Sequence, residues 1–513
     1  MKRNDYAPLN IVEKINARVS LLCAAAVLTG LVLLFCRLDH LLVQVPAEEA
    51  KKQLEAEEQE KAAPQKKPPV VTTASVIAAG DNYYQSSVLM FGQDGSGVWN
   101  YDKVYDHIRG EIQAADLAIV TQETVLTKSH YSVSASDYYS TPTEVGDALV
   151  NAGFDVVCSA TEHVDDWGAD FLNETLDFWS TSHPETLVAG IHASEQDAGT
   201  VSIIEVNGIR IAILDYTYST NTGNASNGTF TPNTGGRNYM VDILSRRKDA
   251  VASMIQSAGE QADCIIFVAH WGTVDEPMPN EYEKQWASFL MEQGVDVLIG
   301  SHPHVLQPYG VMNDLEDESG MTVFYSLGNF VSSSDNWIER LGGLASFTIT
   351  KTVSEEEGTV VEITDPAVKP IVMHTDDDSG DYGPYLLEDY TRSLAAKCSI
   401  RNSVGELFSL TNLYRKFEEI MSMNVTPSSD TSLLDARFSY DGTLLDADGN
   451  RMTMLSTTEA GYYNALGIDI SDYSYFQDID YTGGSGTRSD GAPSDGTPPD
   501  EEQSDEEPAD ETL

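Results

Sequence analysis

Residues 264–272 read Cys-Ile-Ile-Phe-Val-Ala-His-Trp-Gly, and residues 295–304 read Val-Asp-Val-Leu-Ile-Gly-Ser-His-Pro-His. Each stretch is a short apolar run that gives way to histidine, a pattern typical of a buried strand followed by a polar loop. The carboxyl ends of parallel strands meet at one edge of a sheet. The two stretches therefore predict an α/β sheet with His270, His302 and His304 at the same edge.

The same pattern extends in both directions along the chain. Apolar runs alternate with segments of helical periodicity, which is the order expected of an α/β fold. The predicted strands are Ala74–Ala79, Leu117–Thr121, Val156–Ser159, Ile209–Leu214, Ile265–Ala269, Val295–Ile299 and Thr322–Ser326. The predicted helices are Asp102–Ala115, Thr143–Ala152, Ala169–Thr181, Asn238–Ala258, Glu281–Gln293, Tyr385–Lys397 and Val404–Met423.

Acidic residues and a further histidine follow the other predicted strands. Asp81 comes after the first strand, Glu123 after the second, and Glu162 and His163 after the third. One such residue alone is usually structural, but several at one sheet edge indicate a site. Carboxylates and imidazoles without thiolates suit Zn, Mn or Fe, and two cations would balance so many carboxylates. The sequence thus predicts a site for two divalent metal ions.

An uncharged apolar run from Val19 to Cys36 stands near the N-terminus. At about 1.5 Å per residue, its 18 residues just span a bilayer, and the basic residues before it favour a cytoplasmic N-terminus. The alternative is a cleaved signal peptide, whose apolar core is normally shorter. We expect residues 1–18 to be cytoplasmic, 19–45 to form a transmembrane anchor and its flank, and 46–70 to form a stalk linker.

The chain is strongly acidic along most of its 513 residues. Its net charge is −51, and residues 70–481 hold 62 acidic against 19 basic residues. This balance excludes the basic surface that a nucleic-acid-binding protein needs. Residues 71–350 are the predicted α/β domain, residues 351–481 a C-terminal helical and irregular extension, and residues 482–513 a disordered acidic tail without apolar periodicity.

Several motifs resemble the CapA family of poly-γ-glutamate capsule proteins. They are Asn100-Tyr101-Asp102, Ala115-Asp116-Leu117, Gln122-Glu123-Thr124, Gly153-Phe154-Asp155-Val156-Val157, Tyr216-Thr217-Tyr218, His270-Trp271-Gly272, Gly300-Ser301-His302-Pro303-His304-Val305-Leu306-Gln307 and Tyr325-Ser326-Leu327-Gly328-Asn329-Phe330. The likeness covers about residues 72–350, and its most specific block runs from residue 270 to residue 330. It implies a calcineurin-like metallophosphatase sandwich, in which helices flank two sheets.

The resemblance also implies roles for particular residues. Asp81 matches the first acidic metal ligand and Glu123 the acid that bridges two metals. Three histidines match the imidazole ligands: His270, His302 and His304. His163 matches the histidine that protonates the leaving group, and Asp166 stands where it could orient that histidine.

Two of the departures from the family pattern lie beside the expected metal ligands. Glu162 replaces the asparagine usually found before His163, so we expect it to ligate metal with an added negative charge. Tyr83 follows Asp81-Asn82 where the fuller metallophosphatase pattern has a histidine. Two others are Thr121, where the family has asparagine, and an acidic residue after His270-Trp271-Gly272 that appears only as Asp275-Glu276. These departures bear on catalysis more than on the fold.

Two functional hypotheses follow. The first is a membrane-anchored, extracellular metal-dependent hydrolase of a phosphoester or an amide-linked polymer, with His163 as the general acid. The second is a non-catalytic component of capsule synthesis or export that binds polymer or partner proteins through a degenerate metal site. In either case the expected partners are the membrane, crossed by a single span, capsule synthesis or export proteins, and an anionic polymer.

Overall fold

The structure of the chain, a computed structural model, divides it into two compact units. Of the residues that the structure describes, those up to residue 69, with 354–356, form the first unit, and the others form the second. The described residues are 11–44, 49–55, 67–93, 96–136, 138–220, 237–244, 247–313, 320–356, 358–434, 437–438 and 444–445. The predicted acidic tail and most of the predicted stalk lie outside them.

The first unit contains the helix Ile11–Asp39. Its part Arg18–Asp39 is long and apolar enough to cross a membrane, judged by length and composition, and includes the whole predicted run from Val19 to Cys36. Its apolar side chains, such as Leu21 and Phe35, are exposed. An apolar helix exposed on all sides suits a membrane anchor or a signal sequence.

The second unit is built mainly from strands. In chain order these are β1 (Val70–Asn82), β2 (Leu117–Gln122), β3 (Val125–Thr127), β4 (Ser134–Ser136), β5 (Tyr138–Pro142), β6 (Val156–Cys158), β7 (Leu187–Ala189), β8 (Ser202–Val206), β9 (Ile209–Thr217), β10 (Cys264–His270), β11 (Val297–Ser301), β12 (Tyr309–Asn313), β13 (Gly320–Phe324), β14 (Asn329–Val331), β15 (Leu341–Ser354), β16 (Gly358–Asp376), β17 (Asp381–Leu386), β18 (Arg437–Phe438) and β19 (Leu444–Leu445).

Most of these strands form two sheets. The larger has eight strands in the order β17-β16-β15-β1-β2-β6-β7, with β14 paired to β1 beside that row. The smaller has six in the order β12-β13-β11-β10-β9-β8. The pairs β1–β2, β2–β6, β9–β10 and β10–β11 are parallel. Three short strands, β3, β5 and β4, form a separate small sheet.

Helices lie along the chain between the strands. They are Ser86–Phe91, Arg109–Ile112, Thr143–Ala152, Ala169–Ser182, Glu195–Ala198, Lys248–Gly259, Glu281–Glu292, Arg392–Lys397, Arg401–Val404 and Leu410–Met421. Several of them have ends that the sequence encodes locally. Asn280 and Glu283 form a capping box at the start of Glu281–Glu292, and Gly153 ends Thr143–Ala152 with a left-handed φ of 112°.

The two sheets share one buried apolar layer. Val76 and Ile119 of the larger sheet belong to the same cluster as Ile211 and Ile266 of the smaller one. Because these strands are apolar on both faces, they also bury side chains against helices on the outside. The helix Thr143–Ala152 packs with the larger sheet, while Lys248–Gly259 and Glu281–Glu292 pack with the smaller. The predicted α/β sandwich of two sheets flanked by helices is confirmed.

Four predicted helices differ from the structure. Val404–Met423 is a helix only over Leu410–Met421, after a 3₁₀ turn at Gly405–Leu407. Asp102–Ala115 is broken into a 3₁₀ turn, Asp102–Tyr105, and a short helix, Arg109–Ile112. Asn238–Ala258 is helical only from Lys248, because Val241 and Ile243 form isolated bridges to neighbouring segments. Tyr385–Lys397 begins as strand β17 and becomes helical at Arg392. In the last two cases pairing with a distant segment overrides local helical periodicity.

The larger sheet also continues beyond the predicted domain boundary at residue 350. That boundary falls inside β15, and β16 and β17 extend the sheet to Leu386. Pro366 and Pro370 interrupt β16, so its sequence does not read as a strand. The helices of the predicted extension begin only at Arg392.

Candidate metal centre

All of the predicted site residues are buried. Their exposed fractions do not exceed 7%, and they are Asp81, Glu123, Glu162, His163, Asp166, His270, His302 and His304. Asp81 lies near the end of β1, Glu123 follows β2, Glu162 follows β6, and His270 ends β10. These strand ends belong to two sheets, whereas the sequence predicted the edge of a single sheet.

Glu162 joins the imidazoles from the smaller sheet. One of its oxygens, Oε2, contacts His270 Nε2, and the other, Oε1, lies 3.0 Å from His302 Nδ1. Glu123 Oε1 lies 3.7 Å from His270 Nε2. One carboxylate therefore spans two histidines, and a second carboxylate faces one of them.

Asp81 connects to the other side of the cluster. Its Oδ2 accepts a hydrogen bond from the backbone N–H of His302 at 3.0 Å and lies 3.5 Å from His304 Nδ1. Its Oδ1 lies 3.6 Å from His270 Nδ1. The preceding Gly80 has no room for a side chain, since a Cβ there would lie 1.9 Å from the carbonyl oxygen of Gly328.

Two residues that sequence reasoning did not assign hold the imidazoles. Ser301 Oγ lies 2.8 Å from His270 Nδ1, and Asn329 Oδ1 lies 2.9 Å from His304 Nδ1. Such partners orient a ring and direct its other nitrogen, Nε2, to a ligand. Both residues stand in the quoted motifs, Ser301 directly before His302, but their contacts depend on strand neighbours: β14, which begins at Asn329, pairs with β1 at Asp81.

The backbone at two histidines is strained. His302 and His304 have φ values of 93° and 59°, in the left-handed region that residues other than glycine rarely adopt. Such conformations are costly and concentrate at functional sites. The strain supports a functional rather than a packing role for this loop.

His163 and Asp166 form a pair beside the cluster. His163 Nδ1 lies 2.8 Å from Asp166 Oδ2, and the same oxygen accepts the backbone N–H of Tyr139 at 2.8 Å. The Tyr139 ring packs edge-on against the His163 ring at 4.5 Å. Burial opposes the charged imidazole, but Asp166 and then Glu162 outweigh it and raise the pKa of His163 above its ordinary value.

Burial and crowding shift the pKa values of the carboxyl groups. Burial raises the pKa of Glu123 well above its ordinary value, and the charges of Glu162 and Asp81 add to that. Burial also acts on Glu162, but His302 and His270 lower its pKa well below the usual range. Likewise, His304 and His270 outweigh burial and lower the pKa of Asp81.

The donor atoms suit a divalent cation. Asp81 Oδ1 and both oxygens of Glu123 are buried without a hydrogen-bond partner, and such carboxylate oxygens are costly unless a cation or proton meets them. Among the described residues, three sets have donor atoms within 4.8 Å of one another: Glu162, His270 and His302; Asp81, Glu123 and His270; and Glu123, Glu162 and His163. These groups could hold a divalent metal ion.

Comparisons with known proteins agree with the predicted family. A family model described as "Bacterial capsule synthesis protein PGA_cap" matches residues 75–334. The PGA biosynthesis protein CapA of Bacillus subtilis (strain 168) is 29% identical over 232 residues, 45% of this chain and 57% of that protein. The capsule biosynthesis protein CapA of Bacillus anthracis is 28% identical over 208 residues, 40% of this chain and 46% of that protein. The chain thus spans about half the length of these relatives.

Solved structures resemble the chain more remotely. The NAD nucleotidase NadN of Haemophilus influenzae is 12% identical to this chain, with a TM-score of 0.34. The match covers 71% of this chain and 59% of that chain. A putative 5'-nucleotidase of Staphylococcus aureus is 13% identical, with a TM-score of 0.36, and the match covers 60% and 56% of the two chains.

The family assignment rests on the match at residues 75–334, which is just over half of the chain and contains every residue of the cluster. The quoted motifs and the buried carboxylate and imidazole groups lie within the same segment. The chain belongs to the bacterial capsule synthesis protein PGA_cap family, the CapA family of capsule biosynthesis.

Proposed function

We propose that this chain is a membrane-anchored, extracellular protein of capsule synthesis or export, with a metal-dependent hydrolase site for a phosphoester or an amide-linked polymer. One observation carries the hydrolase proposal. Buried carboxylates and imidazoles from both sheets converge, and both oxygens of Glu123 have no hydrogen-bond partner. The helix Ile11–Asp39 supports the anchor, and the curated relatives support the link to capsule polymer.

Zn, Mn or Fe suits this donor set, and we propose two ions. The residues that would hold them are Asp81, Glu123, Glu162, His270, His302 and His304. When bound, such ions supply Lewis-acid activation of water and of the scissile group. Their positive charge would also offset the crowding that raises the pKa of Glu123.

The His163–Asp166 pair supplies acid catalysis in this proposal. Asp166 accepts a hydrogen bond from the Nδ1–H of His163. This contact fixes the ring and stabilises its protonated form. The other nitrogen, Nε2, lies 3.9 Å from Glu162 Oε1 and therefore faces the cluster. From that position His163 would deliver a proton to the leaving group.

A purified full-length protein in detergent tests the proposal. We expect elemental analysis without chelator to find divalent metal, and a chromogenic phosphodiester to be hydrolysed in a chelator-sensitive reaction. If the protein contains metal but hydrolyses neither phosphoesters nor poly-γ-glutamate, its role is non-catalytic. Absence of both metal and hydrolysis would contradict the proposed site.

One feature favours the second candidate function, a polymer-binding or assembly component with a degenerate site. Among the described residues, no lysine or arginine nitrogen lies within 4.0 Å of the carboxylates Asp81, Glu123 and Glu162. The surrounding chain is acidic as well, which opposes an anionic substrate. Measuring poly-γ-glutamate binding and hydrolysis on the same sample separates the two functions.

The Asp166→Asn variant tests the proton donor. Losing the Asp166 charge should lower the pKa of His163, since that charge outweighs the burial which opposes protonation. A general acid acts in its protonated form, so its activity falls as pH rises through its pKa. We expect the basic limb of the pH–rate profile to move down by about one pH unit.

The raised pKa of His163 also makes the folding stability depend on pH. A raised histidine pKa contributes stability that is present below the unfolded value of about 6.5 and is lost as pH rises through the folded value. That pH-dependent contribution should shrink in Asp166→Asn. Asp177→Asn, which removes an exposed partner of Lys128, is the matched control. An unchanged pH–rate profile would exclude His163 as the acid.

Protease treatment of intact cells tests the topology. If the N-terminus is cytoplasmic and the helix Ile11–Asp39 spans the membrane, external protease should remove the domain that begins at Val70. A cytoplasmic marker protein should survive the same treatment. Protection of the domain until the cells are permeabilised would show that it lies inside.

A further inference from the structure

We propose that aromatic rings at the surface beside this centre bind a positively charged amine on the molecule that the site takes. The rings belong to Tyr138, Trp167 and Phe171, which together form the aromatic patch. This inference rests on the proposed function in that it names the ligand class of the same site. It concerns an organic contact next to His163 and does not depend on which metal is bound.

Trp167 reaches the surface at a sharp turn of the chain. The residue before it, Asp166, is buried against His163 Nδ1 at 2.8 Å, whereas Trp167 is 40% exposed. The backbone N–H of Gly168 donates to the carbonyl oxygen of Asp165 at 2.8 Å, and Gly168 has a φ of 77°, which glycine adopts readily. Of the six tryptophans, all of which lie in the described ranges, only Trp167 is exposed.

Two ring contacts hold the aromatic patch together. The ring of Trp167 stacks on that of Phe171, with centroids 5.1 Å apart and planes at 21°. The ring of Tyr138, which is 49% exposed, meets Trp167 at 6.2 Å with planes at 61°. The next residue, Tyr139, donates its backbone N–H to Asp166 Oδ2 at 2.8 Å. This hydrogen bond fixes the start of β5 beside the turn that carries Trp167.

Further rings connect the aromatic patch to the buried imidazoles. The ring of Tyr139 lies 4.5 Å from that of His163 and 5.1 Å from that of Tyr83. Tyr83 in turn stacks on His304, with centroids 5.2 Å apart and planes at 14°. A molecule whose reacting group lies at His163 therefore has its neighbouring group next to the aromatic patch.

The charge of the surroundings favours a cation on these rings. Asp170 is exposed in the first turn of the helix Ala169–Ser182, three residues after Trp167. The whole chain has a net charge of −51, and such a field attracts cations and repels anions. An ammonium group within about 6 Å of an aromatic ring centroid is attracted to the face of the ring, most strongly for tryptophan. A positively charged amine therefore fits both the rings and the charge.

A pair of ligands of equal shape tests the inference on the full-length protein. Choline carries a trimethylammonium group, and 3,3-dimethylbutan-1-ol has the same shape without the charge. Both are titrated by calorimetry in a maltoside detergent, which has no choline headgroup, and the heat of detergent alone is subtracted. We expect choline to bind at least about tenfold more tightly, a factor that contact with two aromatic rings supplies. Equal binding of the two ligands, or binding of neither, would overturn the inference.

Variants of the exposed rings locate the binding. Trp167→Ala and Tyr138→Ala should each remove most of the preference for choline, and Trp167→Phe should keep part of it because a ring remains. Tyr414→Ala is the matched control, since Tyr414 is 39% exposed in the separate helix Leu410–Met421 and its loss should leave choline binding unchanged. A full preference for choline in Trp167→Ala would contradict the assignment.

Hydrolysis shows whether the amine belongs to the substrate. We expect p-nitrophenyl phosphorylcholine to have a KM at least about tenfold below that of its 3,3-dimethylbutyl analogue, and Trp167→Ala to remove this difference with kcat unchanged. Preferential binding of choline without hydrolysis of either ester would leave the aromatic patch as a cation site and remove the hydrolase proposal. Hydrolysis of both esters with equal KM, and no preference for choline, would do the reverse.

Discussion

The His302→Ala variant is expected to lose most of the bound metal and to unfold more easily than the wild-type protein. His302 is buried, and its Nδ1 lies 3.0 Å from Glu162 Oε1, so its removal leaves a buried carboxylate with one imidazole fewer. Burial lowers the pKa of His302, so its ring is neutral at pH 7, and removing a neutral partner from a buried charged group costs about 1.5–3 kcal/mol. Metal that binds the folded state at a hundred times its Kd adds about 2.7 kcal/mol, which the variant would also lose.

Elemental analysis and denaturant unfolding, each with and without chelator, measure these two losses separately. We expect metal content below about a tenth of wild type, and an unfolding free energy that no longer responds to chelator. His302→Asn is a useful second variant, because asparagine tolerates the left-handed φ of 93° better than alanine does.

A surface histidine provides the control for His302. His183, whose Nε2 meets Asp147 at 2.7 Å, lies outside the cluster, and His183→Ala should retain the wild-type metal content. If His302→Ala also keeps the wild-type stoichiometry, the ligand assignment is wrong. A loss of stability without loss of metal would give His302 a packing role alone.

The Glu162→Asn variant is expected to hydrolyse phosphoesters faster while still binding metal. Glu162 adds a negative charge to the cluster, and its two oxygens face His270 and His302. A carboxylate ligand lowers the effective charge of a cation, which then activates water and polarises a phosphoryl oxygen less. We expect the substitution to raise kcat about tenfold, equivalent to about 1.4 kcal/mol of barrier.

The same variant should bind metal more weakly and change its response to acid. His302 and His270 outweigh burial to lower the pKa of Glu162, so Glu162 contributes stability above its unfolded pKa of about 4.3. That contribution is lost as pH falls through the folded value, and the Asn variant should lack it. Acid unfolding curves of the metal-free proteins measure this difference.

Glu111→Asn is the matched control for Glu162. Glu111 pairs with Lys369 at the surface, at 2.5 Å, and its replacement should change neither metal content nor rate. A Glu162→Asn protein with unchanged metal affinity and unchanged kcat would place Glu162 outside the functional site. Complete loss of metal would show that its charge is required for binding.

The sequence alone determined the α/β class and the identities of the clustered residues, and its resemblance to the CapA family implied the two-sheet sandwich. Strands such as β2, β10 and β11 are buried along their whole length, so their apolar runs are visible without a structure. The polar residues that follow such strands, from Asp81 to His304, are also visible in the sequence, but the structure brings them together from two sheets. The sequence also predicts the helix Glu281–Glu292, because its capping box is formed by neighbouring residues.

Other features depended on which segments become neighbours. Strand β16 contains two prolines and forms by pairing with β17, so local composition does not reveal it. The contacts of Asn329 with His304 and of Tyr139 with Asp166 join residues 25 and 27 positions apart. The stacking of Tyr83 on His304 joins the two sheets' loops across more than two hundred positions.

The physical reason is the distance along the chain between the residues that determine each feature. Periodicity and capping reflect the burial and hydrogen bonding of nearby residues, so one chain is enough to show them. Ring orientation, the pKa of His163 and the grouping of the donor atoms around His270 arise from distances between strand ends. Those distances are set by the pairing of strands, and only the tertiary structure decides them.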